Sequence, residues 1–292
     1  MNDPFASIED EAPQSPAELR ASLLGDARRG YAMVRKIFVQ QARESGSRPS
    51  VLGEMVQARQ ETALRLMLLM LALEPLDGLT LPPARWAALL SAEAKPCTSD
   101  QLSRAVRQLE SRHLIVRKGT SRLPGFVPLQ EDGSGAAYSR PNSVSSKGGK
   151  GFFIVPDEFW SSGLVDRLRL PGVAMFLICL HDTHQRPAFQ VTLEKMPAWY
   201  GISERTAERG YHELANHGIL LTHPQTVPDR KAPNGIRTVL WRALSEPYSK
   251  ESRESLQTKT RQRVQQLSGT SGATSESIPV PGFTVDAEDR NE

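Results

Sequence analysis

Cysteine is nearly absent from this chain: Cys97 and Cys179 are the only two in 292 residues. They lie far apart and neither belongs to a close pair, which excludes a disulfide framework and a thiolate zinc site. Long apolar runs are missing too. The longest, Leu66 to Leu73, falls well short of the ~20 residues a bilayer-crossing helix needs, and it reads as a buried helix. No basic-then-apolar signal opens the chain. Catalytic signatures are equally scarce. There is no glycine-rich loop ending in Gly-Lys-Ser or Gly-Lys-Thr, and GGKG at 148–151 has neither that spacing nor a following helix. No Gly-x-Ser-x-Gly elbow occurs, nor a His-x-His pair of the kind that holds a nuclease metal. His181 and His184 have no third ligand nearby and read as a helix-end surface pair. The expectation is a non-enzymatic protein without metal or cofactor.

Charge of one sign is not in large excess either, since the net is +3, but it is unevenly spread. Residues 1–20 sum to −4 and residues 247–292 to −1, leaving +8 for residues 21–246. A basic centre between acidic ends fits a polyanion binder. With 39% hydrophobic and 24% charged residues the chain has enough apolar material for real cores, and its length suits two domains.

Composition divides the chain. Residues 1–17 carry acidic residues and three prolines without apolar period, and read as a disordered leader. Leu23, Leu24, Ala27, Tyr31, Val34 and Phe38 recur at helical spacing, which predicts one amphipathic helix from about Glu18 to Arg43. Its stripe needs cover, from the first domain or from a homodimer partner. A second periodic segment runs from Val51 to Glu74, stopping before Pro75. Residues 132–150 are rich in Gly, Ser, Pro and Asn, the composition of a flexible linker between a unit at 18–131 and one at 151–246. Residues 247–292 read as a polar, mostly disordered tail with at most one marginal helix.

The sharpest signal lies in residues 191–221. Leu193, Met196 and Trp199 form an apolar face, Gly201 allows a left-handed turn, Ile202 plugs the junction, and Ser203 suits an N-cap. From there Thr206, Ala207, Gly210, Tyr211 and Leu214 face inward, with Glu204, Arg205, Glu208, Arg209 and His212 outward. Gly218 ends the helix. A strand from Ile219 to Thr222, a Pro-rich basic loop and a strand from Thr238 to Ala243 complete a hairpin. An apolar helix starting near Pro171 would support it. The run Gly201-Ile202-Ser203-x-x-Thr206-Ala207-x-Arg209, followed by Leu214-x-x-x-Gly218-Ile219-Leu220, resembles the pattern of winged-helix DNA-binding domains over residues 151–246.

Placing Leu214 on Leu109 superposes Ser203 on Thr98, Arg209 on Arg104 and His212 on Arg107, so the first half repeats the design. Its helices are expected at Glu61–Glu74, Pro82–Leu90 and Thr98–Arg112, with Thr98 and Gln101 as a capping box. Leu102, Ala105, Val106 and Leu109 point inward. Arg117, Lys118 and Arg122 are expected at the tip of its hairpin around Gly119. Two departures stand out: His113 where glycine is usual, and a longer turn from Ser91 to Cys97. Trp86 and Trp199 sit at apolar helix positions and read as core.

The fold class implied is mainly α with small β-hairpin wings, two winged-helix domains in tandem. The resemblance implies double-stranded DNA as partner and a cytoplasmic, nucleoid-associated location. The planar fork of arginine matches guanine O6 and N7, so the recognition-helix candidates are Ser103, Arg104, Arg107, Arg205, Arg209 and His212. The wing candidates, for phosphate or the minor groove, are Arg117, Lys118, Arg122, Arg230, Lys231 and Arg237. On an exposed helix such arginines are often just paired, and Glu208 has the spacing to hold Arg205 or His212. In similar bacterial proteins the architecture serves transcriptional regulators and theta-type plasmid or phage replication initiators. Winged helices also serve as protein-interaction scaffolds without DNA, a role the basic centre argues against.

Overall fold

Tyr31 to Arg35 form a strand, β1, that pairs antiparallel with β4, Phe152–Pro156, from the far side of the proposed linker. The register sets Met33 opposite Ile154 at the centre, with Ala32 against Val155 and Val34 against Phe153. This ribbon joins the two halves in a computed structural model that describes residues 14–41, 50–76, 78–92, 94–141 and 151–270, with side chains to residue 266.

Around the ribbon the chain repeats itself. After β1 come α2 (Lys36–Val39), α3 (Val51–Gln57), α4 (Glu61–Leu73), α5 (Pro83–Leu90), α6 (Ser99–Ser111) and the hairpin β2–β3 (Ile115–Gly119, Pro124–Pro128). After β4 come α7 (Glu158–Ser161), α8 (Leu164–Arg167), α9 (Leu170–Asp182), the short β5 (Ala188–Phe189), α10 (Met196–Tyr200), α11 (Glu204–Asn216) and the hairpin β6–β7 (Leu220–Pro228, Ile236–Leu244). Two helices lie outside the repeat, α1 (Pro16–Ala27) and α12 (Lys250–Thr270). About half of the molecule is helical, with twelve α-helices and small antiparallel sheets among the described residues. None of those helices is long and apolar enough to cross a membrane.

The helix expected over Glu18–Arg43 is not continuous. Ser15 starts α1 with a full capping box to Glu18, but Arg28 and Gly30 take left-handed φ angles of 55° and 81° and turn the chain into β1. The apolar spacing that suggested a helix arises here from a strand buried on both faces. Ala32 and Val34 enter the main core, whereas Tyr31 and Met33 join Ile154 in a small second cluster. Likewise the segment Val51–Glu74 is two helices, divided where Arg59 turns left-handed at φ 55°.

The two expected units share apolar packing. One continuous apolar core includes α4, whose residues from Leu66 to Leu73 are all buried, and α9, buried from Gly172 to Leu180. Side chains of the first half hydrogen-bond backbone of the second. Gln57 Nε2 donates to Gly201 O at 2.7 Å, Gln40 Nε2 to Trp199 O at 3.3 Å, and Arg65 Nη2 to Leu168 O at 2.9 Å. Arg20, 2% exposed, donates to Leu89 O and Ser91 O at the end of α5 and pairs with Asp166 of α8. Residues 132–141 of the expected linker are tied down too. Leu129 bridges Ala137, and Arg35 is held by Glu131 and by the Ser139 carbonyl. Only residues 142–150 of it lie outside the described residues.

Helix α1 buries its own stripe. Leu19, Leu24 and Ala27 pack within the chain, against α5, α7 and α4, so this stripe has the intramolecular cover that was one of its two expected alternatives. The one helix expected in the polar tail is the 21-residue α12, and residues 271–292 lie outside the described residues. Arg253 fixes that helix: 4% exposed, it donates to Leu180 O at 3.2 Å and to Thr183 O at 2.9 Å. It therefore caps the carbonyl end of α9, where the helix dipole favours a cation. Burial pulls its pKa down to about 10, still protonated at neutral pH.

Gly53 of α3 marks a close backbone approach between the halves. A Cβ there would collide with the Tyr200 carbonyl oxygen and stand 3.1 Å from Gly201 Cα, both backbone atoms with no rotamer to yield. Gly53→Ala is therefore expected to cost about 1–3 kcal/mol by overpacking, despite the better helix propensity of alanine. Urea unfolding would measure it, and an unchanged midpoint would contradict the close seating of α3 on the α10 turn.

Candidate nucleic-acid interface

Helices α6 and α11 occupy equivalent places in the repeat, and the local sequence dictates both. Thr98 Oγ1 accepts from Gln101 N at 3.2 Å while Gln101 Oε1 accepts from Thr98 N at 2.9 Å, the reciprocal box expected there. Ser203 Oγ accepts from Thr206 N at 3.3 Å. Below α6, Leu102, Ala105, Val106 and Leu109 are buried against α4. Below α11, Ala207, Gly210, Tyr211 and Leu214 are buried against α9, with Thr206 half-buried. The preceding turn in the second half follows the sequence closely, with Gly201 at φ 67° and Ile202 fully buried. Its first helix is shorter than the apolar spacing suggested, because Leu193–Lys195 is a 3₁₀ turn and only Met196–Tyr200 is α-helical.

His113 resolves one departure noted in the sequence. It stands where the second half has Gly218, and both take the same left-handed backbone, φ 55° for His113 and 69° for Gly218. The turn geometry is kept while the glycine is not. The extra length from Ser91 to Cys97 is absorbed by an Ala92–Lys95 bridge and by Ser91 Oγ, which accepts from Cys97 N at 2.8 Å.

Each unit is braced. In the first, Trp86 Nε1 donates to Pro124 O at 2.9 Å and its ring stands 5.1 Å from that of Phe126, fastening β3 to α5. In the second, the Arg242 guanidinium lies 4.1 Å over the Tyr211 ring and donates to Val191 O at 3.1 Å, fastening β7 to α11. Asp182 at the end of α9 accepts from the buried Tyr200 hydroxyl at 2.8 Å and meets His181 Nδ1 at 2.8 Å. Among the described residues no cluster of three metal-ligating side chains forms, and His181 belongs to this brace. Trp86 is core, whereas Trp199 is only half-buried, with Lys195 Nζ 5.0 Å over its ring.

Ser103, Arg104 and Arg107 of α6 and Arg205, Arg209 and His212 of α11 are all exposed, on the faces opposite the buried stripes. Arg104, Arg205 and Arg209 form no ion pair, and Glu208 holds neither Arg205 nor His212, among the described residues. Arg107 Nε donates weakly to Ser103 O at 3.3 Å. A face of unpaired guanidiniums on a rigid helix can approach an anion without first breaking a bond.

The hairpins differ from expectation in length and in the state of their cations. The second is longer than expected: β6 runs on through Pro224 to Pro228, and β7 starts at Ile236, so only residues 229–235 turn. β6 is an edge of the sheet, where proline's missing N–H costs no ladder bond. At ~3.4 Å per residue this arm is about 30 Å long. Arg230 and Lys231 sit exposed in its turn. Asp229 organises that turn, accepting from Lys231 N at 2.9 Å and standing 3.5 Å from Arg237 Nε. In the first hairpin Arg122 lies exposed in the turn. Arg117 does not reach the tip. It lies mid-strand opposite Phe126, and Glu110 of α6 grips it through two bonds of 2.6 and 2.7 Å. Lys118 is one residue nearer the turn, opposite Gly125. Sequence reasoning missed Glu110 and Asp229, because a partner seven or eight residues away across a turn has no local signature. The Asp-x-Lys turn at 229 did carry one.

No family model, curated protein or solved structure matches this chain.

Proposed function

We propose that this chain is a non-enzymatic, sequence-specific double-stranded DNA-binding protein built from two winged-helix units, and that it acts as a transcriptional regulator. One observation carries the reading. Two equivalent, capped helices each bury one face on a core helix and present on the other arginines without carboxylate partners among the described residues, each followed by a cationic hairpin. A helix of 10–12 Å diameter fits the major groove, where each base pair has a distinct donor and acceptor pattern. Arg104, Arg107, Arg205 and Arg209 are assigned to base edges, assisted by Ser103 and His212. Arg122, Arg230 and Lys231 are assigned to phosphates, with Lys118 beside them. Arg117 and Arg237 reach DNA only by leaving Glu110 and Asp229, exchanges that exposed ion pairs allow at little cost.

Fluorescence anisotropy with labelled duplexes tests the assignment. Arg205→Ala with Arg209→Ala is expected to cost about 1–3 kcal/mol of discrimination per lost bidentate contact while sparing much of the non-specific affinity. Arg230→Ala with Lys231→Ala is expected to weaken every duplex alike and to reduce the salt slope by about two. Equal behaviour of both pairs would refute the docking, and no binding to any duplex at low salt would refute the function.

A further inference from the structure

The outer face of the β1–β4 ribbon is incompletely covered. Leu256 of α12 packs, as Phe152 does, on the cluster of Tyr31, Met33 and Ile154, and Thr260 Oγ1 donates to Arg29 O at 3.0 Å, but beyond that point a cleft of about 570 Å³ opens. Its floor is apolar, made by Tyr31, Met33 and Phe152, with Val264 on the wall. Five arginines surround it: Arg28 and Arg29 after α1, Arg140, and Arg261 and Arg263 on α12. Among the described residues only Glu74 answers them, 2.6 Å from Arg29 and 3.5 Å from Arg140. Arg29 is buried, and its Nη1 has no hydrogen-bond partner among the described residues. Burial raises the Tyr31 phenol's pKa, and the guanidiniums of Arg29, Arg261 and Arg140 each oppose that rise, as cations around the floor would. An apolar bed inside a cationic rim selects a ligand that is apolar in one part and multiply anionic in the next.

The chain itself carries such a segment. Beyond α12, outside the described residues, Ile278, Val280, Phe283 and Val285 are followed by Asp286, Glu288, Asp289 and Glu292. With Glu276 and against Arg290, residues 271–292 sum to −4. The segment begins where one wall of the cleft ends. Gln265 precedes Thr270 by five residues, about 8 Å of helix. Phe283 lies thirteen residues past Thr270, a tether of up to about 45 Å. A tether of that length holds the segment near the cleft at roughly millimolar effective concentration, enough for a contact of modest intrinsic strength.

We propose that the segment Ser277–Glu292 docks in this cleft, with Phe283 on the Tyr31–Met33–Phe152 floor and Asp286, Glu288 and Asp289 against Arg28, Arg140, Arg261 and Arg263. The inference does not rest on the DNA-binding reading.

The test uses the full chain with p-benzoylphenylalanine in place of Phe283, a photoprobe that inserts readily at methionine. Irradiation is expected to give a monomeric product whose adduct maps to Met33 or to residues 257–265, with a yield independent of protein concentration. Arg28→Glu, Arg261→Glu and Arg263→Glu together are expected to cut that yield about tenfold, as loss of several exposed ion pairs implies. All three side chains are exposed, and circular dichroism verifies that the fold is kept. Asp286→Asn, Glu288→Gln and Asp289→Asn, which lie outside the described residues, are expected to give the same loss. No adduct, adducts elsewhere or between chains, or a yield indifferent to both sets of substitutions would overturn the proposal. A cleft filled by a partner protein or by residues 1–13 would give one of those results.

Discussion

Arg35→Ala is expected to lower the unfolding free energy by roughly 3–5 kcal/mol, because it strands a carboxylate that has no exposed surface. Glu131 is 0% exposed. Its Oε2 pairs with the Arg35 guanidinium, and its Oε1 accepts from Arg35 N at 3.1 Å. The same guanidinium donates to Ser139 O and lies 5.2 Å over the Tyr138 ring, so one side chain fastens residues 131–139 to the end of β1. Burial already pushes the Glu131 carboxyl above its usual range, outweighing the downward pull of Arg35. Without that arginine it rises further. The native variant then holds a proton that the unfolded chain releases near pH 4.3, so its stability falls as pH rises through the interval above that value. The deficit relative to the parent is expected to be larger at pH 8 than at pH 5. Arg35→Met with Glu131→Leu removes both charges and is expected to recover most of the loss. Denaturant titrations at both pH values measure all three, and a pH-independent deficit would show that Arg35 acts by packing alone.

The parts legible in the sequence were those governed by local rules. Thr98 with Gln101, Ser203, Gly201 and Gly218 are capping and turn residues whose chemistry acts within four positions, and the helices they bound lie where their spacing put them. The exposed faces of α6 and α11 follow from the same periodicity. What was illegible depends on pairings across the chain. Tyr31–Arg35 became a strand because Phe152–Pro156, more than a hundred residues later, completes its ladder, and five apolar-rich residues do not separate helix from doubly buried strand. Residues 132–141 have the composition of a linker, yet Glu131 and Arg35 pin them. The tail helix α12 has almost no apolar stripe. It is held by Arg253, which reaches the carbonyls of α9 seventy residues away, and by Leu256 and Thr260 against the β1 end of the chain. Composition was the misleading signal in all these places, because it describes the average segment and not the particular partner.

The shared core changes what the proposed DNA binding must look like. With a free connector of 19 residues, the end-to-end span would be about 25 Å and variable, so the two units would tolerate half-sites at several separations, provided they faced the same side of the duplex. The ribbon β1–β4 and the bonds from Gln40, Gln57 and Arg65 instead fix one unit against the other. On a site selected from random duplex, a 5-base-pair insertion between half-sites is expected to reduce affinity by about 10²–10⁴-fold, the gain that simultaneous engagement supplies. A 10-base-pair insertion restores helical phase but moves the second half-site about 34 Å along the axis. It is expected to be as damaging as the first, and Arg205→Ala with Arg209→Ala should add little on either inserted site if α6 alone remains bound. Anisotropy titrations of the three duplexes decide the matter. Recovery of affinity at 10 base pairs would mean that the ribbon opens on DNA and that the units read their sites as separately mobile bodies.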